Sequence, residues 1–206
     1  MGFFSVENIA LTILGYNISY IELFATILGL TSVYYATNSN RLTWVFGLFN
    51  IFLLFSLFYQ IHLYGDMLLQ VYYLYMTFYG WYKWNENSED NTFTNVNNKI
   101  PLCLGFVLLY LVAVFSIVNL HIYLPNIFNA EASYPIYSTL VFTLSVFATI
   151  LLVHRKIESW YLWIISDIIC IIIYYKKGMY FLSLQYTICL MLAIRGLYRT
   201  KRLNNA

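Results

Sequence analysis

The chain is 206 residues long, 61% of them hydrophobic and only 10% charged, with a formal net charge of +2. A soluble domain carries about 25% charged residues, so this chain cannot cover a water-facing surface. That excludes a soluble enzyme, a disordered protein and a nucleic-acid-binding protein, and leaves a membrane protein.

In chain order, the stretch 3–16 comes first. It is short and holds Glu7 and Asn8, so it reads as an interfacial or amphipathic pre-helix inside an N-terminal segment 1–19. It lacks the basic n-region of a signal peptide, and Val6 stands where N-myristoylation needs Ser or Thr. A spanning helix needs about 20 mostly apolar residues. Seven stretches qualify: Ile21–Thr37, Trp44–Ile61, Met67–Trp84, Ile100–Leu120, Tyr137–Val153, Trp160–Tyr175 and Met179–Tyr198. Asn85–Asn98, rich in Asn and carrying Glu86, Glu89 and Asp90, reads as a flexible polar linker.

Seven spans put the termini on opposite sides. Nine basic residues (Arg41, Lys83, Lys99, Arg155, Lys156, Arg195, Arg199, Lys201, Arg202) then fall on one side, and two (Lys176, Lys177) on the other. The basic side is cytoplasmic, so the N-terminus is outside and the C-terminus inside. The chain is expected in a bacterial inner membrane. The 42 aromatic residues suit interface belts, and Trp81 and Trp84, beside Lys83, read as cytoplasmic anchors. Cys103, Cys170 and Cys189 lie in apolar runs without CxxC spacing and read as buried thiols.

The two sides of the linker resemble each other. Trp44 pairs with Trp160, Asn50 with Asp167, Gln70 with Gln185 and Gly80 with Gly196, at offsets of 116, 117, 115 and 116. The expected organisation is an all-α membrane protein of seven transmembrane helices in a 3+1+3 parallel repeat. Residues 20–84 form the first three-helix repeat, 85–99 the cytoplasmic linker, 100–133 the connecting helix and loop, 134–198 the second repeat and 199–206 a basic tail. Three spans plus a fourth leave both copies in one orientation, as in SWEET-type carriers, whose site lies near the midplane where the repeats meet.

Ionisable residues inside the membrane are costly and read as functional. Trp160, Trp163 and Asp167 are spaced i, i+3, i+7, two indoles and a carboxylate on one helix face. That set suits a flat cationic ring by stacking, cation–π attraction and charge balance. Its alternative is a pair of belt tryptophans and a structural Asp. Asp66, Gln70, Tyr73 and Thr77 share a face of the third helix, where Gln70 suits an amide or a hydroxyl. Asp66 near the helix start also reads as a cap. Asn50 and Gln185 are taken as substrate contacts through their pairing, and Glu22, Asp66 and Trp44 as further candidates. Gly29, Gly47 and Ala193 read as close-packing residues. No catalytic, ATP-binding or metal motif is present, and no cofactor is expected.

These features resemble the PnuC family of vitamin-precursor transporters. The resemblance rests on Glu22, Trp44 with Gly47, Leu63-Tyr-Gly-Asp66 with Gln70, Gly80-Trp-Tyr-Lys-Trp84, Glu158-Ser-Trp160-Tyr-Leu-Trp163 with Asp167, and Ala193-Ile-Arg-Gly196-Leu-Tyr198. It implies a full-length SWEET-like fold assembled as a homotrimer. It also implies facilitated diffusion of nicotinamide riboside, with imported substrate trapped by a cytoplasmic kinase. Relatives that carry thiamine or riboflavin make those vitamins the alternative cargoes. A binding subunit of an ATP-driven importer and an intramembrane enzyme are the alternatives of other classes.

Overall fold

The computed structural model describes residues 4–13, 15–60, 64–86, 93–125, 134–176, 178 and 180–204. Leu63, Lys177, Met179 and residues 87–92 of the linker lie outside the described residues. The chain forms a two-stranded hairpin, β1 (Ile9–Ile13) and β2 (Tyr16–Ser19), and then seven helices. These are α1 (Tyr20–Thr37), α2 (Leu42–Gln60), α3 (Tyr64–Glu86), α4 (Ile100–Tyr123), α5 (Pro135–Val153), α6 (Glu158–Lys176) and α7 (Tyr180–Asn204). Over its described residues, which leave out Ile61 and Met179, each expected span therefore lies on a helix. Five of them, all but α1 and α3, are by length and composition able to cross a membrane.

Side chains are sorted as lipid demands. Leu104, Leu108, Leu111 and Phe115 of α4 point outward, while Thr139, Thr143, Ser145 and Thr149 of α5 are buried. Lipid tails are as apolar as Leu, so helices associate through small and hydrogen-bonding residues instead. Thr139, Thr143 and Thr149 each donate to the carbonyl four residues back, at 2.6, 2.9 and 2.8 Å, so burial leaves no hydroxyl unpaired.

The chain divides into two compact units, unit 1, Met1–Ser88, and unit 2, Glu89–Ala206. In unit 1 the N-terminal segment is a hairpin, which corrects the expected pre-helix. Isoleucines, a threonine and a leucine favour strand geometry, and Gly15 supplies φ +81° at the turn. Ser19 and Glu22 then form a reciprocal capping box that starts α1. At the other end of unit 1, Gln60 of α2 accepts from the Val6 N–H at 3.0 Å and donates to the Phe4 carbonyl at 2.9 Å, tying down the leading residues.

In unit 2 the described part of the linker is hydrogen-bonded to the α5–α6 loop and the start of α6. Thr94 pairs in parallel with the α5–α6 loop: its N–H donates to the Arg155 carbonyl at 2.9 Å, and its carbonyl accepts from Ile157 at 3.1 Å. Glu158 accepts from the Val96 N–H at 3.0 Å, and Lys99 stands 3.6 Å from the same carboxylate.

A shift of 116 residues carries α2 onto α6 from end to end and the first residue of α3, Tyr64, onto the first of α7, Tyr180. The preceding loops share several backbone hydrogen bonds. Asn40 and Lys156 donate to Tyr35 and Leu151 at 3.0 and 2.8 Å, and Trp44 and Trp160 to Arg41 and Ile157, both at 3.1 Å. Ser39 and Arg155 hold the left-handed turn at φ 54° and 49°. In unbroken helices this register pairs Asn50 with Ser166 and Asp167 with Ile51. It likewise pairs Gln70 with Tyr186 and Gln185 with Leu69, so the 117 and 115 offsets read from the sequence are each one residue off.

Candidate substrate-binding site

Trp44 and Trp160 are the clearest matched pair, and both are wedges. The missing Cβ of Gly80 lets α3 approach Trp44, since a methyl there would stand 2.5 Å from the indole. Gly196 of α7 does the same for Trp160, at 2.8 Å. A second ring closes each wedge: Trp84 lies edge-on to Trp44 with centroids 5.3 Å apart, and Phe93 lies 6.1 Å from Trp160. Trp84 is only 1% exposed, so it is a core residue and not the expected interface anchor, while Trp81 is exposed. Both wedge indole N–H groups are buried without a hydrogen-bond partner among the described residues.

Along α6 at about 1.5 Å per residue, Trp160 lies near the helix start and Asp167 near its middle. Asp167 is 3% exposed, and among the described residues no hydrogen bond or ion pair reaches its carboxylate. It lies within electrostatic range of Cys189 on α7. A buried carboxylate without a partner is unfavourable, which sets Asp167 apart from the other buried polar groups of α6. Trp163, one turn before Asp167, is half-buried, and among the described residues it makes no ring contact or hydrogen bond. The ring of Trp160, by contrast, is covered by Gly196 and Phe93. Gln185 on α7 is buried and engaged.

In unit 1, Gln70 is 3% exposed; its Nε2 donates to the Asp66 carbonyl at 3.2 Å, and its Oε1 has no partner. Tyr73 is half-buried beside Tyr72, at 5.9 Å, and Thr77 is buried on the same face. Asn50 donates to the Ala25 carbonyl at 2.6 Å, a bond that ties α2 to α1. Asp66 sits in the first turn of α3, where a carboxylate meets the free N–H groups. Glu22 is already saturated: it accepts from the Ser19 N–H at 2.9 Å, the Ser19 hydroxyl at 3.0 Å and the Tyr16 phenol at 3.2 Å. The Ser19-x-x-Glu22 spacing is itself the signature of that cap. Gly47 lets α1 and α2 close up, with Ser32 Oγ 3.3 Å from where its Cβ would be, and Ala193 is buried. The cysteines are all free thiols, but only Cys170 is buried; Cys189 is intermediate and Cys103 is exposed on α4, among side chains that face lipid.

Residues 19–202 match the family described as nicotinamide mononucleotide transporter. The nicotinamide riboside transporter PnuC of Escherichia coli (strain K12) is 30% identical over 223 residues, taking in 95% of this chain and 92% of that one. The chain belongs to this family. Its members are membrane transporters, not enzymes, in keeping with the multi-pass helical architecture. A second PnuC, of Neisseria mucosa, is 23% identical over 78% of this chain and 63% of its own. The crystal structure of the vitamin B3 transporter PnuC shares the fold, with a TM-score of 0.66 at 20% identity, covering 89% of this chain and 81% of that one.

Proposed function

We propose that this protein carries nicotinamide riboside into the cell by facilitated diffusion with alternating access. The observation that carries the reading is family membership over nearly the whole chain, joined to an unpaired mid-helix carboxylate one turn from a half-buried indole. Nicotinamide riboside is a flat pyridinium cation with a hydroxylated sugar. Trp163 stacks on the ring and Asp167 balances its charge. Trp160 keeps the unsatisfied indole N–H as a donor, while its ring serves as a wedge. In unit 2, Gln185 serves the carboxamide or a hydroxyl; in unit 1, Gln70, Tyr73 and Asn50 are polar groups able to bind such groups in their own right.

Finer features belong to the same proposal. The matched elements at an offset of 116 residues support a parallel 3+1+3 duplication of SWEET-like type. The nine-to-two division of basic residues supports an external N-terminus and a cytoplasmic C-terminus. Homotrimeric assembly and capture of the product by a cytoplasmic kinase rest on the resemblance to PnuC carriers. The test is uptake into liposomes made with the purified chain alone. Entry of nicotinamide riboside down its own gradient, indifferent to imposed proton and sodium gradients, is the expected result. A need for ATP and a second protein would overturn it.

A further inference from the structure

The two three-helix sets share a scaffold, so coordinated departures from that likeness show what the second set has added. Three occur together at the start of α6. Position 200 of α7 is Thr where the register puts Trp84 of α3, so α7 brings no ring of its own to close the wedge. Phe93, from the linker, supplies one and is buried against Trp160 at 6.1 Å. Position 158 is Glu where α2 has the exposed Leu42, and that carboxylate grips the linker at the Val96 N–H, at 3.0 and 3.1 Å, and at Lys99. Between these points Thr94 is bonded to the loop at Arg155 and Ile157, and its hydroxyl accepts from Lys156 Nζ at 2.6 Å.

The same helix carries the other departures. Trp163 and Asp167 stand where α2 has Gly47 and Ile51. The helix that gained an indole and a carboxylate is thus the one whose starting end is held from outside its own bundle. An α-helix is a stiff rod, and its position at mid-length follows from where its end is fixed.

We propose that residues 93–99 are a positioning strap for α6: Phe93 presses Trp160 onto Gly196 while Glu158 holds the strap, and together they set where Trp163 and Asp167 present themselves to substrate. The strap touches no substrate. It rests on the transport reading only for the identity of the ligand.

The test uses the full-length protein in detergent and in liposomes, with Phe93→Ala, Phe93→Trp and Glu158→Ala. Expected for Phe93→Ala is a loss of nicotinamide riboside affinity of about tenfold, in the range that residues without ligand contact exert, with KM rising more than the maximal rate falls. Phe93→Trp restores affinity by replacing the ring, and Glu158→Ala, which removes a partly buried carboxylate at the start of α6, weakens binding. Amide exchange of residues 160–167 reads the strap independently of any ligand and accelerates in Phe93→Ala and Glu158→Ala but not in Phe93→Trp. Unchanged exchange in α6 overturns the strap, whatever binds. If the unmodified protein binds no nicotinamide riboside while α6 exchange responds as stated, the strap stands and the assigned cargo falls.

Discussion

The wedge geometry makes a quantitative demand on two glycines. In Gly80→Ala the new methyl would stand 2.5 Å from two Trp44 ring carbons and 2.7 Å from a third. Carbon contacts are favourable at about 3.5–4.0 Å, so the indole must retreat by about 1 Å, and Trp84 edge-on behind it blocks the way. Overpacking of this kind costs about 1–3 kcal/mol, against a gain of about 0.5–1 kcal/mol for Ala over Gly in a helix interior. The net destabilisation is about 1–2 kcal/mol. Gly196→Ala meets Trp160 at a less severe 2.8 Å, and its closing ring is on the linker, so its overpacking cost lies at the low end, about 1–2 kcal/mol, and the net loss is about 0–1 kcal/mol. Gly105→Ala meets only Phe147 at 3.4 Å and serves as the neutral control. Thermal unfolding in one detergent, followed by tryptophan fluorescence, ranks the three. Adding Trp44→Phe to Gly80→Ala relieves part of the loss. Gly80→Ala as stable as the unmodified protein, or Gly105→Ala the most damaging, would refute the wedge.

Four further outcomes are expected. Trp160→Ala empties a fully packed position and lowers stability by about 3–5 kcal/mol, as for other buried aromatics, whereas Trp163→Ala leaves the melting temperature nearly unchanged and impairs uptake; equal melting losses would count against the division of roles. Gln70→Met removes a buried acceptor with no partner, so the fold gains or holds its stability while transport falls; intact transport would remove Gln70 from the site. Asp167→Asn keeps the shape and removes the charge, and competition binding shows it losing its preference for cationic over neutral ring analogues; a retained preference would contradict the charge-balance role. Burial, then the charge of Glu22 and its hydrogen bond, pushes the Tyr16 phenol from the usual 10 up to about 12. The folded state therefore keeps a proton the unfolded state has lost, and the stability present below pH 10 falls as pH rises from 10 to about 12. Alkaline melts of Tyr16→Phe should lack that slope, and identical melts would contradict it.

Five helices were legible because uninterrupted apolar length is a strong signal in lipid, and α1 and α3 were read from weaker, more polar stretches. The pairs Trp44–Trp160 and Gly80–Gly196 were legible too, since a large ring against a missing side chain leaves few alternatives. The pairs Asn50–Asp167 and Gln70–Gln185 joined polar residue to polar residue without regard to register. One residue is about 100° around a helix, so each slip moved a side chain to another face. Trp84 was misplaced for a related reason: a tryptophan beside Lys83 at a helix end looks like a headgroup anchor, and only tertiary packing reveals Trp44 beneath it. The linker hid its strap because an Asn-rich composition says nothing about the single phenylalanine in it. The hairpin and the Glu22 cap were legible in principle, from Gly15 between β-branched runs and from the Ser19-x-x-Glu22 spacing. For Asp167 the sequence supplied depth along α6, and the structure adds that no group among the described residues hydrogen-bonds or ion-pairs with it.

The most direct measurement is calorimetric titration of the detergent-purified protein with nicotinamide riboside, thiamine and riboflavin side by side. The account predicts micromolar or tighter binding of nicotinamide riboside, weakened by Trp163→Ala and by Asp167→Asn. Binding of thiamine alone would contradict the cargo while leaving the cation site in place, and binding of none would contradict the transport assignment at its centre.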